Sequence, residues 1–242
     1  MKYCIDIGHN FPPLDTGAVG IIKEDEVNLT IGNALMIKLR SAGDQVVNSL
    51  AYLKTQTRIT SRSLELQARC DAANASKVDL FVSIHANAVK DATAQGVEVW
   101  YYSQKGYEMA LKICANISRL GYRNRGPKKI GVDGKNLYVI KNTQAPAVLV
   151  ECFFITNKSD VDLYDPAAIT GAIFTAITGR KDIVSTIGIN DTRIKELQTT
   201  MNKIGIKDMY RNALIVDGIN GPKTIYCLKV LYDLLIQLRR VK

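Results

Sequence analysis

The stretch "DLFVSIHANA", residues 79–88, decides the fold. An almost unbroken apolar run closes on a histidine and then turns small and polar. A run this short and this continuous fits a strand buried on both faces, as in a parallel sheet covered by helices. "AVLVECF" (147–153) repeats the pattern and ends on Glu151 and its neighbours. Working outward, "KYCIDIG" (2–8), "QVVNSL" (45–50), "GVEVWYY" (96–102) and "LYVI" (137–140) are further strand candidates. Between them, helical spacing is predicted over 25–42, 61–76, 104–121 and about 162–178. Ile31, Leu35 and Leu39 set one apolar face of the first helix, Gly43 stops it, and Gly32 is an unexplained weak point inside it. Strands alternating with helices give an α/β fold, a twisted and mostly parallel sheet flanked by helices.

The pattern changes after residue 178. "TRIKELQTTMNKIG" reads as a helix opening at Asp191 or Thr192 and closing at Gly205. A turn-rich "VDGINGPKT" and a final helix from Thr224 follow. The expected layout is a first domain over 1–178, a linker over 179–190 and a small all-α, three-helix domain over 191–242. Up to residue 180 there are 21 basic and 17 acidic residues, against 11 and 6 beyond it, so the tail is the more basic part and favours an acidic partner. No basic run is interleaved with aromatics, and nucleic acid is not the expected partner. No apolar stretch is long enough to span a membrane. "MKYCIDIGHN" lacks the pattern of a secretory signal, so the expected site of synthesis is the cytoplasm. Five cysteines without a CxxC pair suggest buried free thiols rather than disulfides or a thiolate metal site.

Only two histidines occur, and both follow predicted strands: His9 in "IDIGHN" and His85 in "FVSIHAN". Glu151 stands at the expected end of another strand. Ligands gather at the carboxyl edge of such sheets, so three metal-competent side chains at that edge raise the prospect of a site. Position alone leaves a hydrogen-bonded surface histidine equally open. For Glu151 the competing reading is an ion pair with Arg69 or Arg125. Two imidazoles and a carboxylate are the ligand set of catalytic zinc. The carboxylate is sought in "KEDEVN" (23–28), where Glu24, Asp25 and Glu26 all qualify; acids at a helix N-terminus also need no function. A second, unligated glutamate on a buried strand would have a raised pKa and suit proton transfer.

Taken in order, "IDIGHN", "KEDEVNL", "LELQARCDAAN", "DLFVSIHANA", "GVEVWYY", "NRG" and "PAVLVECFFITNKSD" resemble the zinc-dependent N-acetylmuramoyl-L-alanine amidases of type 3, over roughly residues 1–178. The resemblance implies Zn2+ held by His9, Glu24 and His85, with Glu151 as catalytic acid/base. It selects Glu24 because the family's ligand lies four residues before the asparagine of an Asn-Leu pair, here Asn28-Leu29. It further implies hydrolysis of the amide between N-acetylmuramic acid and L-alanine in peptidoglycan and a lytic role; the missing secretory signal then suits an endolysin released by a holin-type partner, and a sporulating cell's own lysin would look the same. Other readings are a zinc carboxypeptidase on the stem peptide or a non-catalytic wall-binding protein. Phe153 departs from the family's usual glycine and is expected to narrow the cleft floor; Asn10 and Pro12-Pro13 are expected to reshape a rim. In the tail, Asp217, Gly218, Gly221, Pro222 and Thr224 after a Leu-Gln helix resemble the three-helix peptidoglycan-binding domain. Oligomeric state is not legible.

Overall fold

The computed structural model describes residues 1–181, 191–207 and 212–216, together with 224, 227, 230 and 231. The chain divides into two compact units, Met1–Lys181 and Asp182–Lys242. The first holds β1 (Lys2–Ile7), α1 (Glu24–Ser41), β2 (Gln45–Asn48), α2 (Ser49–Lys54), α3 (Arg62–Ser76), β3 (Leu80–Asn87), β4 (Val97–Tyr101), α4 (Gln104–Ser118), β5 (Asn124–Lys129), α5 (Tyr138–Asn142), β6 (Ala147–Phe154), α6 (Lys158–Asp162) and α7 (Pro166–Thr178).

Six strands form one sheet in the order β2-β1-β3-β6-β4-β5. Every pairing is parallel except β4 with β6. The apolar runs of β1, β3 and β6 occupy the middle, and all eight residues of β6 are buried. "NRGPKK", with its proline and three cations, forms the edge strand β5, where an unpaired N–H side and solvent make such residues acceptable. It carries no apolar alternation, so the sequence gives no sign of it.

Alternate residues of the strands serve two unlike faces. On one, Ile5, Ile7, Val82, Ile84, Val148 and Val150 join Val27, Ile31, Leu35 and Leu39 of α1, Ile113 and Ile117 of α4, and Ile169 and Ile173 of α7 in the main core. Gly32 lies inside α1 because a Cβ there would stand 2.6 Å from Ile7 Cγ1; the helix rests directly on β1. On the other face Cys4, Phe81, Leu149 and Trp100 meet Cys70 and Ala73 of α3 and Val139 and Ile140 of α5 in a smaller core. All five cysteines are buried and free.

Some expectations need correction. "LYVI" is not a strand: Leu137 precedes α5, and its carbonyl accepts from Ile140 and Lys141 N–H. Four apolar residues are too few to show a period, and both sides of β6 are already taken by β3 and β4. "QVVNSL" stops being a strand at Asn48, whose side chain accepts from Ala51 N–H at 3.0 Å and starts α2. The helix predicted from 162 begins at Pro166, capped by Asp165, and a separate α6 precedes it. α4 ends at Ser118 rather than at 121.

In the second unit α8 spans Asp191–Lys203. Met201, Ile206, Leu214 and Cys227 form its core, with Leu197, Val230 and Leu231 against it. Asp217, Gly218, Gly221 and Pro222, most of the expected final helix, and residues 182–190 of the expected linker lie outside the described residues.

Candidate metal centre and cleft

On the less covered face, Asp6, Ser83, His85 and Glu151 continue the line of Phe81 and Leu149 toward the carboxyl edge of the sheet. Beyond Ile7 the chain leaves β1 through Gly8 and turns at His9 and Asn10, both in the left-handed region at φ of 59° and 62°. That turn points His9 back over the edge. Glu24, the first residue of α1, comes to the same point. One donor atom each from His9, Glu24 and His85 lie within 4.8 Å of one another. Glu24 Oε1 is 3.1 Å from His9 Nε2 and 3.0 Å from His85 Nδ1. Its other oxygen accepts from Ala18 N–H at 3.0 Å. Burial pushes the Glu24 carboxyl up, but the two imidazoles outweigh it and hold it well below the usual range. Asp25 and Glu26 stay out of the cluster; Glu26 pairs with Lys23 at 3.3 Å.

This donor set fits a zinc ion. Two ring nitrogens converge on one buried carboxylate oxygen, and neutral imidazole nitrogens plus a carboxylate are what zinc takes at about 2.0–2.2 Å each. Tetrahedral ligands at that bond length stand about 3.3 Å apart. The two Glu24–histidine separations lie near that spacing, within a donor set that spans up to 4.8 Å.

The surrounding chain fixes the donors. A Cβ at Gly8 would lie 2.3 Å from the His85 ring, so glycine alone lets β1 pass under it. Gly17 takes φ +65°, and a Cβ there would meet Asp25 Oδ1 at 2.2 Å. Arg69, fully buried on α3, donates to the carbonyls of Ile7 and His9, each at 2.6 Å, and to Asp6 at 2.7 Å. Glu65 pairs with its Nε. Asp6 also accepts from Ser49 at 2.5 Å and Ser83 at 2.6 Å. Burial raises the Asp6 carboxyl, yet Arg69 and the two hydroxyls reverse the sign and lower it. Through these bonds the buried ion group braces the backbone that carries His9. The chain then closes on itself as Phe11 and Asp15 exchange backbone hydrogen bonds at 2.9 Å around Pro12-Pro13. The proline pair thus brings the Asp15 carboxylate onto His9 Nδ1. Arg62 binds the other Asp15 oxygen. Nothing in the sequence marked Asp15.

Glu151 is aligned with His85 across β3 and β6 and with Glu98 across β6 and β4. It is therefore inside its strand, not at the end; β6 runs three residues further. Neither Arg69 nor Arg125 pairs with it. Arg125 Nε donates to Glu98 at 2.7 Å, and Lys135 Nζ lies 3.4 Å from Glu151 Oε1. Burial raises the Glu151 carboxyl above its ordinary value, against the pull of His85 and Lys135 and with help from Glu24 and Glu98. Beyond it the register shifts, so that His85 to Asn87 on β3 oppose Glu151 to Phe154 on β6. The bulge sends Phe153 into the main core, stacked on Tyr122 at 5.7 Å and beside Tyr164 at 5.2 Å. Phe153 does not narrow the cleft.

Known proteins are similar to this chain in sequence and fold. LytC, an N-acetylmuramoyl-L-alanine amidase of Bacillus subtilis (strain 168), is 35% identical over 157 residues, covering 64% of this chain and 30% of that protein. The endolysin of Bacillus phage SPP1 is 33% identical over 168 residues, 66% of this chain and 56% of that one. The chain thus spans about a third to a half of the length of these two relatives. The catalytic domain of CD27L, an endolysin targeting Clostridia difficile, superposes with a TM-score of 0.63 at 27% identity, over 75% of this chain and 98% of the domain. Residues 4–179 match the family's sequence profile, and with a matching six-stranded fold the chain belongs to the type 3 N-acetylmuramoyl-L-alanine amidase family.

Proposed function

We propose that this chain hydrolyses the amide between the lactyl group of N-acetylmuramic acid and L-alanine in peptidoglycan, with zinc held by His9, Glu24 and His85. The observation that carries the reading is the convergence of two imidazole nitrogens on Glu24 Oε1, with Glu151 aligned beside His85 on the next strand. When bound there, zinc supplies Lewis-acid polarisation of a carbonyl and makes a neighbouring water more acidic.

The chain's own residues do the rest. Asp15 takes the hydrogen bond from His9 Nδ1–H and so leaves the Nε2 lone pair facing the cluster. Ala18 N–H holds the far oxygen of Glu24 and leaves Oε1 for the shared point. Glu151 takes a proton from the attacking water and delivers it to the leaving nitrogen. A buried carboxyl with a raised pKa is matched to that exchange, because it gains and loses a proton closer to neutrality. Glu98 on the adjacent strand adds negative charge and keeps Glu151 ready to accept.

We propose further that residues 1–178 form the catalytic domain, that 179–190 link it to the tail, and that 191–242 bind peptidoglycan. In support, Gln198 of the Leu-Gln helix donates to Thr224, the last residue of the "DGINGPKT" match, at 3.0 Å, and both are buried. Likeness to a phage endolysin supports a lytic role; we propose with it that the enzyme passes from the cytoplasm to the wall through a holin-type partner. No helix among the described residues is long and apolar enough to cross a membrane.

Mass spectrometry of digested wall, with and without a chelator, tests the activity. Stem peptides with a free L-alanine amino group, lost on chelation, are expected. Release of terminal D-alanine instead would make the chain a carboxypeptidase. Wall clearing by Glu151→Ala at the wild-type rate would remove the proposed mechanism.

A further inference from the structure

Lys135 is not used by the chemistry above, yet it touches the group that performs the proton transfer. It sits on the segment between β5 and α5. Ile130 and Leu137 anchor the two ends of that segment in the smaller core. Gly131 N–H donates to the Lys135 carbonyl at 2.8 Å, and Lys129 N–H donates to Asp133 at 2.6 Å. Gly131 and Gly134 take φ of 76° and 96°, which the tight turn requires. The turn is therefore closed on itself and placed over the sheet. Lys135 Nζ lies 5.1 Å from the centre of the Trp100 ring and 3.4 Å from Glu151 Oε1. Its side chain is 42% exposed, while that of Glu151 is 9% exposed.

Two features suggest a partner beyond Glu151. First, three neighbouring cations are committed: Arg125 to Glu98, Arg62 to Asp15 and Glu65, and Arg69 to Asp6 and Glu65. Among the described residues, Lys135 is the cation in contact with Glu151. Second, an ammonium has three donors, and the Lys135 side chain is partly exposed to solvent beside Glu151. An anion arriving from that side would take up a free donor of the ammonium.

In the stem peptide, the residue after L-alanine is D-glutamate joined through its side-chain carboxyl. Its α-carboxyl is the first charge beyond the scissile amide, free in some walls and amidated in others. We infer that Lys135 binds this α-carboxylate, so that the enzyme selects stem peptides with free D-glutamate over those with D-isoglutamine at the second position. The inference rests on the amidase reading. Trp100 holds the ammonium by its ring face while it exchanges Glu151 for the substrate carboxylate.

The test uses the full zinc-loaded chain on two soluble disaccharide tetrapeptides that differ only in D-glutamate or D-isoglutamine. The expected wild-type preference for D-glutamate is about tenfold in kcat/KM, the worth of one partly exposed charged hydrogen bond. Lys135→Gln is expected to bring the ratio near one, mainly by raising KM for the D-glutamate substrate. Lys135→Arg should keep most of the preference. A wild-type ratio near one overturns the assignment. So does an equal loss on both substrates in Lys135→Gln with a shifted acid limb, which would mean that Lys135 only tunes Glu151. Failure to release an L-alanine peptide from either substrate overturns the amidase reading instead.

Discussion

The two faces of the sheet are made by the same strands and do different work. Ile5, Ile7, Val82, Ile84, Val148 and Val150 bury against α1, α4 and α7, with Tyr3, Tyr122, Cys114 and Cys152 in the same core. Their neighbours Asp6, Ser83, His85 and Glu151 face the other way, where α3 and the five-residue α5 leave the carboxyl edge partly open. Alternation along a strand lets one set of residues stabilise the fold and the next set carry charge. The cost falls on the second set, since a buried carboxylate is stable only when paired. Asp6 meets that need through Arg69, Ser49 and Ser83; Glu151 meets it only partly, through Lys135.

The sharpest way to break this contrast is to change one residue on each face. Glu151→Gln should lower kcat on muropeptides by about 10²–10⁴-fold, the usual contribution of a positioned acid/base, with the fold intact by circular dichroism. Leu35→Ala should do the reverse. Denaturant unfolding is expected to show a loss of about 2–5 kcal/mol, with activity retained by the folded fraction. If Leu35→Ala removed activity while leaving stability alone, the two faces would not be separable as described.

A smaller effect is expected at Asp15. Asp15→Asn keeps the shape but loses the charge that holds His9 Nδ1–H, and zinc affinity should fall about 10–100-fold in a competitive chelator titration. Unchanged affinity would mean that Arg62, rather than His9, is the partner for which Asp15 is placed.

The smallest effects are in the pH dependence of stability, and they have opposite signs on one face. Asp6 has a lowered native pKa, so its contribution is present above the unfolded carboxylate pKa and is lost as pH falls through the native value. Glu151 has a raised native pKa. Folded protein there binds more protons than unfolded protein, so stability is lost as pH rises from the ordinary carboxylate range through the native value. In chelated protein, Glu151→Gln should flatten that second slope and raise the melting temperature near neutrality. A slope unchanged by the substitution would place the raised carboxyl elsewhere.

Much of this was legible in the residues. Nearly continuous apolar runs marked β3 and β6, a shorter one broken by Asp6 marked β1, and strand position singled out His9, His85 and Glu151, which the structure brings to one edge. Charge and helix position had no means of choosing among Glu24, Asp25 and Glu26, since all three fall in the first turn of α1. Only the family resemblance selected Glu24, the one acid that the fold carries to both histidines. Asp15, Glu98 and Lys135 escaped notice for a common reason. Each reaches the cleft through a loop closure or a cross-strand register, and neither leaves a periodic trace. The antiparallel β4 brings Glu98 to the carboxyl edge of β6 from the beginning of its own strand, and "LYVI" was too short to show which period it followed.

The central claim is that His9, Glu24 and His85 form a metal site to which Glu151 does not belong. Zinc content per chain, measured after dialysis for wild type, His85→Ala and Glu151→Gln, tests it most directly. One zinc in the wild type and in Glu151→Gln, and none in His85→Ala, is the expected result. Zinc retained by His85→Ala, or lost from Glu151→Gln, would contradict it.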